Sequence, residues 1–318
     1  MTSIPKIISQ RVALGVLTLW VVSVIIFAGI QFLPGDVATE LLGQSATPET
    51  VAAIRKSLGL DLPVYLRYLH WLGETLQGNF GTALASGRDI GELIRPRLFN
   101  TLFLAITAAM ISVPLALLGG IVAALYRNTL VDRVINVVTL ASISFPEFFV
   151  AYILILILAV HIGILPSLSD VDSTTSFLDR LTAVALPAFT LAVVVMAHML
   201  RMTRTSIVSL LGNQYIETAR LKGLPEWRML VRHALPNALA PIANVVVLNL
   251  AYLITGVVVV EVVFVYPGLG QLIVDSVQKR DVPVVQACSL IFAATYVLLN
   301  LTADVLSIIM NPRLMHPK

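Results

Sequence analysis

Hydrophobic residues along the chain gather into long blocks, and charged residues stand almost entirely between the blocks. No Asp, Glu, Lys or Arg occurs between Arg11 and Asp36, Arg97 and Arg127, Arg180 and Arg201, Arg232 and Glu261, or Asp281 and Asp304. Each gap reaches or exceeds the roughly 20 residues that a helix needs to cross a hydrocarbon core. A further run, from Val134 to about Val160, is broken only by Glu147. The pattern predicts an all-α integral membrane protein with six transmembrane helices.

Composition excludes the main alternative. The 318 residues are 58% hydrophobic and 12% charged, with a mean hydropathy of +0.90. A soluble domain of this size could not cover its surface with so few polar groups. The first apolar run exceeds the roughly 7–15-residue core of a signal peptide and lacks a small-x-small cleavage site, so a retained first span is expected. Cys288 is the lone cysteine and lies in the sixth run, which rules out an intrachain disulfide. A net charge of +3 is too small to point to nucleic acid.

Where the cations stand is more informative than their sum. Short loops rich in Lys and Arg stay on the cytoplasmic side. Lys6 and Arg11 precede the first span, Arg127 and Arg133 lie between the second and third, and Arg313 and Lys318 follow the last. The segment between the fourth and fifth holds Arg201, Arg204, Arg220, Lys222, Arg228 and Arg232. The opposite short loops hold Arg180, Lys279 and Arg280. Both termini are therefore expected in the cytoplasm.

The chain divides into residues 1–33 (N-terminal segment and first span), 34–96 (an external helical loop) and 97–318 (a five-helix core with a cytoplasmic loop at 201–237). In the external loop, "TPETVAAIRKSLGL" offers Thr47 as an N-cap, Pro48 at the first helical position and Glu49 in the first turn. "PVYLRYLHWLGETLQG" repeats that start at Pro63. No internal repeat or low-complexity stretch is evident.

The densest polar stretch of the core is "ETARLKGLPEWRMLVRHALP", Glu217 to Pro236. Gln214 to Lys222 reads as a short helix, and Gly223 suits the left-handed position that ends one. Pro225 restarts a helix, in which Trp227, Leu230, Val231, Ala234 and Leu235 follow the spacing of one apolar stripe. Pro236 is expected to stop it. Two readings fit this hairpin: an amphipathic element on anionic lipid, or a docking element for a cytoplasmic partner.

Glu217-Thr218-Ala219-x3-Gly223, nine residues, then His233-x-Leu235-Pro236 resembles the cytoplasmic signature of ABC importer permeases, Glu-Ala-Ala-x3-Gly-x9-Ile-x-Leu-Pro. Thr218 replaces an Ala and His233 the Ile. "LGLDLPVYLRYLHWLGETLQGNFG", "EVVFVYPGLGQLI" with "RDVPVVQ", and "NLTADVLSIIMNPR" resemble the B-type subunits of dipeptide and oligopeptide permeases, with Asn79 and Asn311 in place of a usual Asp. The resemblance implies a type I ABC importer permease fold in a bacterial inner membrane. It also implies a coupling helix that seats in an ATPase subunit, with Glu217, Thr218, Ala219, Arg220, Lys222 and Gly223 docking and Leu235 and Pro236 tying the loop to the next span. Its implied partners are two ABC ATPase subunits that bind ATP and Mg, a second, homologous permease and an extracytoplasmic binding protein.

No G-x4-GK[ST] phosphate loop, HExxH or Cys/His cluster occurs, so no enzyme activity, cofactor or metal is expected of the chain itself. Polar residues in the runs are pathway candidates, because such groups are costly in lipid. Glu147, after a helix-kinking Pro146, either lines a pathway or packs against a neighbouring helix. Asn249, Tyr252 and Gly256 share a helical face open to cargo or to interhelical packing. Glu261 either snorkels to the external interface or forms a gate with Tyr266, Pro267 and Gly268; Asp304 is expected to pair with Asn300. The function read from all this is a peptide-importer permease. The alternatives are a self-sufficient secondary carrier or channel, and a non-transporting membrane scaffold.

Overall fold

The computed structural model describes residues 4–31, 47–57, 61–172 and 174–309. The described part is helical: α1 (Ile4–Gln31), α2 (Pro48–Ser57), α3 (Val64–Leu76), α4 (Ile90–Leu125), α5 (Leu130–Ser144) and α6 (Glu147–Leu154, extended by a π-helical stretch Ile155–His161). α7 (Phe177–Leu211), α8 (Gln214–Leu221), α9 (Glu226–Met229, followed by π-helical Leu230–Ala234), α10 (Leu235–Val263), α11 (Leu269–Gln278) and α12 (Val282–Ile309) complete it. Among the described residues four helices are long and apolar enough to cross a membrane, within α1, α4, α7 and α12. Two bent pairs reach that length together: α5 with α6, at 107°, and the halves of α10 around Thr255, at 43°.

Local chemistry sets the starts. Asp89 caps α4 by accepting from the Glu92 amide at 3.0 Å, so α4 begins ahead of the charge-free run that follows Arg97. Ser176 caps α7 by accepting from the Asp179 amide. The expected cap Thr47 accepts from the Thr50 amide through Oγ1 at 3.3 Å.

α4 and α7 form the central pair, with α10 packed on both. Small residues on α4, among them Ala105, Ala108, Ala116 and Ala123, are buried at this contact, which lets the backbones approach closely. Three apolar clusters follow the bundle axis: a central one around Leu104, Leu191 and Val257, a second around Ile207, Ile216 and Leu230, and a third around Ile90, Leu269 and Cys288. α1 packs on α12 at the side of the bundle, and α3 leans on α1 through Phe27, Tyr68 and Trp71.

Candidate functional site

The polar segment between α7 and α10 folds as a hairpin at one end of the bundle. α8 ends at Gly223, whose φ of +78° is the left-handed conformation that a residue without Cβ adopts at little cost. The Gly223 amide donates to the Arg220 carbonyl at 2.9 Å and the Leu224 amide to the Ala219 carbonyl at 3.3 Å, the two bonds of a Schellman turn. The expected turn is in place. Ile216 and Ala219 are buried against Ile207, Met229 and Leu230, and this seats the hairpin on the bundle. Glu217, Thr218, Arg220 and Lys222 are exposed on its outer side, together with Leu221 and Trp227.

The second half of the hairpin differs from its reading in sequence. Met229, Leu230 and Ala234 are buried, whereas Trp227 and Val231 are exposed. The stripe is realised in full only at Leu230 and Ala234, the two ends of a π-helical stretch Leu230–Ala234 that departs from the 3.6-residue period. Pro236 does not stop the helix either. The helical run continues through it, directly after the π-helical stretch, and Leu235 beside it is partly buried.

A second feature lies at the 107° bend between α5 and α6. A cleft of about 600 Å³ opens there between Phe145, Pro146, Glu147 and Phe148 on one side and His198, Tyr252, Gly256 and Val259 on the other. The Glu147 carboxylate reaches across to α10, where the Tyr252 hydroxyl donates to Oε1 at 3.4 Å. Gly256 makes the approach possible: a Cβ there would stand 3.0 Å from Oε1. The candidates Glu147 and Tyr252 are therefore brought together. Asn249 is not; its side chain donates to the Val245 carbonyl of its own helix.

Glu261 and Tyr266 belong to a third arrangement, at the end opposite the hairpin. Glu261 is fully buried, so it does not snorkel to an interface. Its Oε1 accepts from the Thr101 hydroxyl at 2.6 Å, and Oε2 accepts from the amides of Gly270 and Gln271 at 2.7 and 3.1 Å. Thr101 Oγ1 in turn accepts from the Leu269 amide at 2.8 Å. The three leading amides of α11, which no residue of their own helix can satisfy, are thus held by α4 and α10. Gly268 is required for space, since a Cβ on it would collide with the Glu261 carboxyl. The Tyr266 hydroxyl donates to the Asn100 carbonyl at 3.0 Å, Asn100 Nδ2 donates to the Pro267 carbonyl at 2.9 Å, and Arg180 donates to Asn100 Oδ1 at 2.6 Å. Burial pushes the Tyr266 phenol above its ordinary range, which keeps it a neutral donor.

Asp304 does not pair with Asn300. It accepts from Arg11 of α1 at 3.0 Å, while Asn300 donates to the Tyr296 carbonyl. Sequence reasoning assigned no role to Asn100, Thr101, Asp132 or Asp281. Asp281 is buried and takes the amides of Leu84 and Ala85, pinning the segment before α4 to the α11–α12 turn. Asp132 is gripped through both oxygens by Arg204, at 2.7 and 2.8 Å. The distance in sequence between partners left no local signal for these contacts.

Residues 116–316 match the family model described as binding-protein-dependent transport system inner membrane component, and residues 4–88 match the model for the N-terminal part of such components. The glutathione transport system permease protein GsiC of Escherichia coli strain K12 is 39% identical over 295 residues, covering 93% of this chain and 94% of the relative. Its counterpart in Shigella dysenteriae serotype 1 is equally similar, and that in Escherichia coli strain CFT073 is 38% identical with the same coverage. The hairpin on its glycine turn, carried at one end of an apolar helical bundle, is thus part of a chain that belongs to the family of inner membrane components of binding-protein-dependent transport systems, the permeases of ABC importers.

Proposed function

We propose that the chain is one transmembrane half of a type I importer for di- and oligopeptides, small peptides such as glutathione included. In this reading α1, α4, the α5–α6 pair, α7, α10 and α12 are six spans with both termini cytoplasmic, in a bacterial inner membrane. A second, homologous permease completes the pathway, two ATPase subunits bind ATP and Mg, and an extracytoplasmic binding protein delivers the cargo.

The observation that carries this reading is the Schellman turn at Gly223, which presents the exposed Glu217, Thr218, Arg220 and Lys222 on a base anchored through Ile216 and Ala219. Closure of the ATPase pair on ATP pulls the hairpin. The movement enters α10 directly, because the π-helical stretch joins α9 to α10 without a loop. The cleft between the α5–α6 bend and α10 then opens alternately to the two sides. The amphipathic-lipid reading of the hairpin is less favoured, because the apolar stripe it needs is split between the bundle core and the surface.

Reconstitution tests the proposal. Vesicles holding the chain, its co-purifying permease and ATPases are expected to accumulate a tripeptide only with binding protein and ATP. Accumulation by the chain alone, without nucleotide, would identify a self-sufficient carrier instead. A complex that binds its partners but moves no solute would identify a scaffold.

A further inference from the structure

The cleft at the α5–α6 bend holds a carboxyl group with no Lys or Arg beside it. A carboxylate in an apolar segment is costly unless other groups satisfy it. Yet none of the ion pairs among the described residues involves Glu147, and the hydrogen bond to Tyr252 is long at 3.4 Å. Glu147 stands in the first turn of α6, a place that favours a carboxylate, but its oxygens do not cap that helix and reach to α10 instead. No Lys or Arg lines the cleft; its other polar side chains are Ser144, His198 and Tyr252. Ser144 is already engaged with the Leu140 carbonyl.

We propose that Glu147 is the counter-ion for a primary ammonium group of the cargo, so that the pathway selects solutes with a free amino terminus. This rests on the importer reading and adds its substrate chemistry. A primary ammonium carries three donors, enough to reach both Glu147 oxygens and the Tyr252 hydroxyl together. The aromatic walls of Phe145, Phe148 and Tyr252 favour a cation a second time. About 600 Å³ lies within the roughly 300–1,000 Å³ of sites that take small organic ligands. Gly256 is the residue that leaves the carboxylate open to such a guest, since any side chain there would stand against it. A cargo carboxylate finds no Lys or Arg among the lining residues, so the site reads the amino end.

The test uses the assembled transporter with its partner permease, ATPases and binding protein. Dicyclohexylcarbodiimide, which modifies carboxyl groups in apolar surroundings, is applied, and the peptide containing Glu147 is followed by mass spectrometry, with Glu147→Gln as the blank. A tripeptide with a free amino terminus is expected to slow modification about tenfold, the effect of one charge-assisted hydrogen bond, and its N-acetylated form to leave the rate as it is. Equal rates with both peptides overturn the proposal. So does a Glu147 that resists modification before any peptide is added even at a pH low enough to protonate an unpaired carboxyl, which would mean that a partner subunit supplies its cation. In uptake, the preference for the free over the acetylated peptide is expected to collapse in Glu147→Gln and to persist in Glu147→Asp. Because protection is read without turnover, amine protection in a complex that imports nothing would overturn the importer reading and leave the site standing.

Discussion

Glu261 and Glu147 both carry a carboxylate into stretches that otherwise hold almost no charge, and their surroundings differ in every respect that matters energetically. Glu261 has no exposed surface and accepts three hydrogen bonds from two other helices, one from α4 and two from the start of α11. Glu147 is half-buried at the rim of a cleft and has one long contact. A buried acceptor with all its partners stiffens what it joins, here α4, α10 and the start of α11. An acceptor left short of partners is retained at a cost, and in a transport protein the missing partner is most simply the cargo. Under the cargo proposal, the difference separates scaffold from pathway inside one bundle.

The largest expected effect breaks the scaffold half of that contrast. Glu261→Ala leaves the Thr101 hydroxyl and the Gly270 and Gln271 amides without an acceptor, each worth about 1–3 kcal/mol when stranded in a protein interior. A loss of about 3 kcal/mol or more is expected, seen as a clear fall in the melting temperature of the detergent-solubilised protein. Glu147→Ala removes a poorly satisfied charge and is expected to leave the melting temperature level or to raise it. Equal losses in the two variants would erase the distinction between the two carboxylates.

A smaller effect is expected at the hairpin, where rigidity serves motion. Gly223→Val forces a β-branched residue to a φ of +78°, a local cost of about 1–2 kcal/mol. The hairpin is seated through Ile216 and Ala219, so the bundle should melt nearly as before while ATP-driven uptake falls. Asn tolerates the left-handed region better, so Gly223→Asn is expected to recover part of the uptake. Unchanged uptake in Gly223→Val would sink the role of the turn as the mechanical link.

How far all this was legible beforehand follows from the range over which each feature is encoded. Apolar runs, the Thr47 cap and the Gly223 turn depend on neighbours within a few residues, and the structure has them where the sequence places them. The apolar stripe of the hairpin's second half is realised only in part: Trp227 is exposed ahead of the π-helical stretch and Val231 within it, and a 3.6-residue period shows neither. Glu261 could be seen to be unusual but not what satisfied it, since Thr101 lies 160 residues away. The Glu147–Tyr252 contact spans 105 residues, so pattern could nominate both and pair neither. Gly256 and Gly268 were visible as glycines; that they make room for carboxylates is a matter of packing.

The smallest expected effect concerns a third carboxylate, Asp304, which pairs with Arg11 at 3.0 Å while both side chains keep about half their surface open, 50% and 41%. Exposed pairs in water contribute about 0–1 kcal/mol, because solvent screens them and the long side chains lose freedom. On the outer surface of α1 and α12 that open surface faces either water and headgroups or hydrocarbon, and the two cases give different numbers. A double-mutant cycle with Arg11→Gln and Asp304→Asn, read by melting, is expected to give a coupling below about 1 kcal/mol if the pair lies at headgroup level. A coupling of several kcal/mol would place the pair at hydrocarbon depth, where neither charge finds water. The first case puts the start of α1 and the end of α12 at one membrane face, as both termini in the cytoplasm require; the second would move the bundle in the bilayer and with it the depth of the Glu147 cleft.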